Sequence, residues 1–296
     1  MSTATQYRGR FAPSPTGPLH FGSLVSALAS YLDARKNRGQ WLLRIDDIDP
    51  PREQPGAIPV ILRQLEQHGL HWDETELYQS TRSAAYREIL AALTGQGLLF
   101  PCTCSRQLLA KSNGIHSGPC RASDASPHQA HALRIAVTAD EPVVFEDVFQ
   151  GRQSRNLKRE VGDFVLLRRD GLFAYQLAVV ADEAYQNITH VIRGADLLDS
   201  TARQIYLQRV LDYPSPDYGH IPVATGTDGE KLSKQNFAGS LDDGVPVENL
   251  LNALSWMGYS VDAELLTASA EEILDWAVCR WNRNLLVGDK KRFAIS

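Results

Sequence analysis

No stretch of this 296-residue chain approaches the roughly 18 consecutive apolar residues of a membrane span. The opening "MSTATQYRGRF" has none of the apolar run that a secretory leader carries. These two absences point to a cytoplasmic protein without a membrane partner. Cysteine is scarce, with four residues at Cys102, Cys104, Cys120 and Cys279, and a reducing compartment excludes a disulfide framework. Positive charge is short too: 30 Lys and Arg stand against 35 Asp and Glu, for a net charge of -5. No global basic field advertises nucleic acid, so any RNA contact uses a local patch, and its affinity should fall with salt. Internal repeats and low-complexity segments are absent. Hydrophobic residues, at 43%, supply core material for one large domain or two modest ones.

What is present alternates between strand and helix. "GRFAPSP" reads as a short strand entering a proline-rich turn, and Leu24, Val25, Leu28, Ala29 and Leu32 give the following helix its apolar spacing. "QWLLRIDDID" is a second buried strand, so strand, crossover helix and strand make the parallel unit of an α/β sheet. Helices are expected around Ala57 to His68 and Ser83 to Gly95. From Leu133 to about Arg169 short runs such as "PVVFEDVF" alternate with turns, a β-rich insertion. A helix through "FAYQLAVVADEAY" and the strand "THVIRG" restore the α/β pattern, and the tail after Pro246 reads as helical.

Two polar stretches carry phosphate chemistry in outline. In "PLHFGSL", His20 and Gly22 sit where a turn gives way to a helix, whose N-terminal N–H groups suit a phosphate while glycine lets a ligand approach. In "GEKLSKQ", Lys231 and Lys234 flank Ser233 in a glycine-bordered loop, and mobile ammonium groups can follow a growing phosphate charge. Taken singly, His20 reads first as a turn cap, and the lysines as a solvated loop. A third pattern is C-x-C, eleven residues, then H-x-x-x-C. Cys102, Cys104, His116 and Cys120 offer three thiolates and one imidazole, a closed structural zinc set. The alternative is a pair of reduced core cysteines beside an exposed histidine. Cys279, on an apolar helical stretch, is expected in the core.

Together, "RFAPSPTGPLHFGSL", "LLRIDDID", "VIRGADLLDST" and "KLSKQ", in this order, resemble the class I aminoacyl-tRNA synthetases, specifically the glutamyl branch. His20-Phe21-Gly22-Ser23 resembles the HIGH signature and Lys231-Leu232-Ser233-Lys234-Gln235 the KMSKS loop, and the likeness runs from about Arg10 to Phe237. It implies a Rossmann-type catalytic domain in two halves, 1–99 and 171–240. A β-rich, zinc-bearing, acceptor-binding-like insertion over 100–170 separates them, and a short helical region, 241–296, follows. It also implies attack of an amino-acid carboxylate on the α-phosphate of ATP, a reaction that needs positioning and charge stabilisation. His20, Gly22, Lys231 and Lys234 would carry it, with His20, Gly22 and Lys234 at the ATP phosphates and Mg2+ accompanying the nucleotide.

By the same resemblance Arg10, Ser14, Tyr175 and Arg193 line a glutamate pocket and Asp46 receives the α-ammonium. A guanidinium suits a carboxylate because it can pair bidentately. Two positions depart from the pattern: Asp46 stands where the family has glutamate, and Ser23 where the signature has its second histidine. Family members often have tyrosine in place of His116. The tail after Phe237 is too short for the helical domain that reads the anticodon in a full glutamyl-tRNA synthetase. Length, KLSKQ and the zinc segment resemble instead the stand-alone paralogues that join glutamate to queuosine, the modified wobble base of tRNA(Asp). The expected partners are therefore L-glutamate, ATP and queuosine-bearing tRNA(Asp), with a monomer as the default state. A truncated enzyme charging a tRNA 3′ end, or a non-catalytic glutamate- or tRNA-binding homologue, are the other readings.

Overall fold

The computed structural model describes residues 6–110, 112–116, 120–121, 131–225, 241–288 and 291–293. Strand β1 (Arg8–Phe11) leads through a proline-rich turn into α1 (Phe21–Lys36), and β2 (Gln40–Ile45) follows. Next come α2 (Ala57–Gln67), β3 (Leu77–Tyr78), α3 (Ser83–Gly95), β4 (Leu99–Cys102) and the short α4 (Arg106–Ala110). Strands β5 (Ala132–Ile135), β6 (Val143–Asp147) and β7 (Gly151–Arg155), the single turn α5 (Leu157–Glu160) and β8 (Phe164–Leu167) fill the β-rich stretch. The chain returns through α6 (Tyr175–Tyr185), β9 (His190–Gly194), α7 (Leu198–Val210), β10 (Asp217–Ile221) and β11 (Val223–Thr225). Helices α8 (Pro246–Met257) and α9 (Ala270–Arg280) and the strand β12 (Lys291–Phe293) close it. Among the described residues no helix is long and apolar enough to cross a membrane.

Strands β1, β2 and β3 pair in parallel, as do β9 and β10. β1 and β9 lie side by side, tied where Thr189 N–H donates to the Arg8 carbonyl at 2.9 Å. The β6–β7 hairpin belongs in sequence to the β-rich stretch, yet β6 runs parallel beside β10, with Tyr218 opposite Asp147. It therefore continues the main sheet, while β4, β5 and β8 form a separate antiparallel one.

β2 shows why the sheet is buried on both faces. Trp41, Leu42, Leu43 and Ile45 are all at most 1% exposed, an apolar run of the parallel-strand kind interrupted only by the buried Arg44. Alternation still sorts them: Trp41, Leu43 and Ile45 pack in a first core with α1, α2, α8 and α9. Leu42 packs in a second core with α3, α6 and α7. On α9 the first core takes Ile273, Leu274 and Ala277. Cys279, two residues past Ala277, turns off that face and is exposed, so the expectation of a core cysteine is corrected.

Candidate active site and metal cluster

Strand alternation sets a row of polar side chains on the second-core face of the sheet. Arg44 shares its parity with Leu42, Arg193 with Val191, His220 with Tyr218 and Asp147 with Val143, whereas Arg10 alternates with Phe11 of the first core. Across β2, β1, β9, β10 and β6 the row reads Arg44, Arg10, Arg193, His220, Asp147, and all five are buried. Arg44 Nε donates to Asp46 Oδ1 at 2.7 Å and Nη2 to Oδ2 at 3.4 Å. Burial raises the Asp46 carboxyl above its ordinary range, against the pull of Arg44. Arg10 Nη2 donates to Glu183 Oε1 at 2.9 Å, and both side chains are almost fully enclosed. Burial lowers the Arg10 pKa; Glu183 opposes the shift, while Arg44 and Arg193 reinforce it.

Arg193 differs from its two neighbours. Its Nε donates to His220 Nε2 at 3.0 Å, Nη1 to the Tyr175 hydroxyl at 3.4 Å, and Nη2 to Thr201 Oγ1 and Gln204 Oε1, both at 2.8 Å. Every one of these acceptors is neutral, and among the described residues no carboxylate forms an ion pair with Arg193. A buried cation without a counter-ion costs several kcal/mol, a cost that an anion entering here would offset. The acceptors also fix the imidazole. Burial lowers the His220 pKa to about 4, so the ring is neutral. Its Nδ1–H donates to Asp147 Oδ2 at 2.5 Å, leaving Nε2 as an acceptor for Arg193.

Of these groups Arg10, Asp46, Tyr175 and Arg193 border a cavity of about 590 Å³ at the C-terminal ends of β1, β2, β9 and β10, with the others behind them. Ligands bind at this edge of open parallel sheets. Arg10, Ser14, His20, Gly22, Ser23, Asp46, Tyr175 and Arg193 all line it. His20 is the N-cap of α1, with extended backbone (φ -115°, ψ 171°) and Nδ1 accepting from Ser23 N–H at 3.3 Å. Capping and function thus coincide: with Nδ1 an acceptor, the neutral ring carries its proton on Nε2, the tautomer that can donate to a phosphate oxygen. A Cβ on Gly194 would stand 2.4 Å from Asp196 Oδ1, so a side chain there would have to displace the Asp196 carboxylate where the chain after Arg193 turns along the cavity wall.

The cysteine segment converges as its spacing predicts. Cys102 Sγ lies 3.5 Å and Cys104 Sγ 3.8 Å from His116 Nε2, Cys104 and Cys120 sulfurs are 3.2 Å apart, and all four ligand atoms lie within 4.8 Å of one another. His116 is buried, not exposed. Its Nδ1 is 3.1 Å from Asp163 Oδ2, which directs Nε2 at the sulfurs, the arrangement by which a carboxylate orients a metal-bound imidazole. Burial, then the neighbouring Cys120 and Cys102, push the Cys104 thiol up to about 12. A divalent cation at the centre would supply the charge that lets these thiols ionise, and the donor set fits zinc.

Known proteins bear on the same chain. Residues 6–287 match the family described as tRNA synthetases class I (E and Q), catalytic domain. The chain belongs to this family of class I tRNA synthetases. A protein of Methylococcus capsulatus named Glutamyl-Q tRNA(Asp) synthetase is 52% identical over 93% of this chain and 91% of its own length. One of the same name from Escherichia coli K12 is 50% identical over 94% of this chain and 90% of its own. In fold, a crystal structure of a glutamate tRNA ligase from Elizabethkingia meningosepticum superposes with a TM-score of 0.80 at 24% identity, covering 98% of this chain and 67% of that one.

Within this class I synthetase catalytic domain, the motif residues of "RFAPSPTGPLHFGS" and "VIRG" meet in one cavity. Lys231 and Lys234 lie outside the described residues. Four supporting groups escaped the sequence reading: Arg44, Glu183, His220 and Asp147. The first was legible, since Arg44 sits two residues before Asp46 at the end of a strand. The others become neighbours only through strand pairing and helix packing.

Proposed function

We propose that this chain activates L-glutamate with ATP and transfers it to the queuosine base of tRNA(Asp). The observation carrying the glutamate reading is the buried Arg193, whose partners among the described residues are all neutral, in one cavity with Arg10 and the Arg44-braced Asp46. Arg193 and Arg10 would take the side-chain carboxylate, with Ser14 and the Tyr175 hydroxyl beside it, and Asp46 the α-ammonium. The α-carboxylate oxygen then attacks the α-phosphorus of ATP, and pyrophosphate leaves in line. His20 Nε2–H, the amide N–H groups at the start of α1 and the lysines of the KLSKQ loop would stabilise the charge that accumulates on the phosphates. Gly22 keeps the approach to the helix open. In the second step a hydroxyl of the queuosine diol attacks the activated carbonyl and AMP leaves. Cys102, Cys104, His116 and Cys120 would hold one zinc ion, a structural closure with no open coordination position. The choice of queuosine over a tRNA 3′ end rests on the curated relatives that share the name Glutamyl-Q tRNA(Asp) synthetase over most of their length.

The test uses purified protein, ATP and labelled glutamate with tRNA carrying or lacking queuosine, each also shortened enzymatically at its 3′ end. Label confined to queuosine-bearing tRNA and surviving the shortening is the expected result. Label on unmodified tRNA that disappears with the terminal adenosine would make the chain a small conventional charging enzyme. Glutamate binding with neither labelled tRNA nor glutamate-dependent pyrophosphate exchange would leave a binding protein.

A further inference from the structure

We infer that Asp147 and His220 are positioning residues for Arg193, aiming its guanidinium at the substrate's side-chain carboxylate. The inference rests on the reading of the cavity as a glutamate pocket. Arg193 can direct its remaining donor capacity into the cavity only while Nε has an acceptor behind it. That acceptor is His220 Nε2 at 3.0 Å, and in the parallel register His220 lies opposite Arg193. An imidazole nitrogen accepts only if the proton sits on the other nitrogen, and Asp147 Oδ2 receives that proton at 2.5 Å. The direction of Arg193 is thus set two residues away, by a carboxylate at the end of β6.

Asp147 is itself held rigidly. Its Oδ1 accepts from the backbone N–H groups of Phe149 at 3.1 Å, Gln150 at 2.9 Å and His220 at 3.0 Å. Three amide donors on one oxygen dictate what the near-isosteric Asp147→Asn substitution does. The asparagine oxygen must stay at the three N–H groups, so its NH2 replaces Oδ2 and faces His220 Nδ1. The ring then takes its other tautomer and presents Nε2–H to the Arg193 Nε–H, donor against donor. Thr201 Oγ1, 3.1 Å from Nε2, can accept that hydrogen, which holds the wrong tautomer in place. Arg193 is left with a repelling neighbour and must turn. Side-chain volume hardly changes, and the cavity keeps its lining.

The experiment measures glutamate and ATP dissociation constants by calorimetry, with thermal unfolding as a control. It compares the full chain with Asp147→Asn, Arg193→Met and the double variant Asp147→Asn/His220→Gln. Asp147→Asn is expected to weaken glutamate about tenfold, the scale of one lost charge-assisted hydrogen bond, and to leave ATP affinity unchanged. Glutamine has no tautomer and can turn its carbonyl toward Arg193, so the double variant should recover part of the loss. Glutamate affinity untouched by Asp147→Asn but reduced by Arg193→Met would overturn the inference alone. So would parallel losses of glutamate, ATP and thermal stability that the double variant does not restore. Arg193→Met binding glutamate as the unaltered chain does would remove the pocket reading itself.

Discussion

At the scale of single residues, the site depends on groups that keep one protonation state although they are buried. His220 is fully enclosed and its pKa is lowered to about 4, first by burial and then by the charge of Arg193, against the hydrogen bond it donates to Asp147. In the unfolded chain the same ring titrates near 6.5. Between these values the unfolded state binds more protons than the folded one, so stability rises with pH there. The contribution of the neutral ring is complete above about 6.5 and is lost as pH falls toward 4. Urea midpoints of the unaltered chain and of His220→Gln should therefore converge as pH drops from 7.5 to 5. A constant gap would mean that the ring titrates normally in the fold, and a gap that widens toward pH 5 that it is held charged there. Arg10 and Arg193 were legible in the sequence because each sits inside a recognisable motif. His220 and Asp147 were not, since seventy-odd positions separate them and only the pairing of β6 with β10 brings them together.

Elements carry the proposed metal cluster. Cys102 ends β4, while His116 is set by a bridge to Gly162, which precedes β8 by two residues. The Asp163 N–H returns to the His116 carbonyl at 2.9 Å, and burial of Asp163 is outweighed by hydrogen bonds from Arg121, the Val137 N–H and His116, which hold its carboxyl below the usual range. Gly162 makes this crossing possible: its φ is +69°, and a Cβ there would lie 2.2 Å from the His116 carbonyl oxygen. Replacing Gly162 with alanine is thus expected to push His116 away from the sulfurs and lower bound zinc well below one ion per chain. Colorimetric release of zinc from purified protein reads this directly, and full zinc content in the variant would show that His116 is dispensable. A milder loss, about 10- to 100-fold in metal affinity, should follow Asp163→Asn, because only the orienting carboxylate is removed. The four ligands could be read from their spacing. Gly162 and Asp163 could not, because they come from the segment before β8, some forty-odd positions further along the chain.

For the molecule as a whole, the helical C-terminal region is joined to the sheet by a shared core and by one buried charge. Helices α8 and α9 pack in the same core as α1, β1 and β2. Asp33, on α1 and fully buried, accepts from the Tyr7 hydroxyl at 2.5 Å, Trp281 Nε1 at 2.8 Å, and Arg283 Nε and Nη2 at 2.7 and 2.8 Å. The same helix that presents His20 to the cavity is thus anchored near its far end to the residues after α9. Sequence periodicity found both the helix and the tail but not this junction, since a charged residue on an apolar helix face gives no sign of which distant donors will meet it. Asp33→Ala would leave three kinds of donor without their acceptor, at a cost of about 3 kcal/mol for a buried ionic network. Because the apolar core is continuous across the junction, that loss should shift one cooperative urea transition, not split it. Adding Arg283→Met to Asp33→Ala should change the midpoint little further, since both act through the same carboxylate. An early, separate loss of helical signal in Asp33→Ala would instead make the C-terminal region an independent body, held to α1 mainly by that one charge.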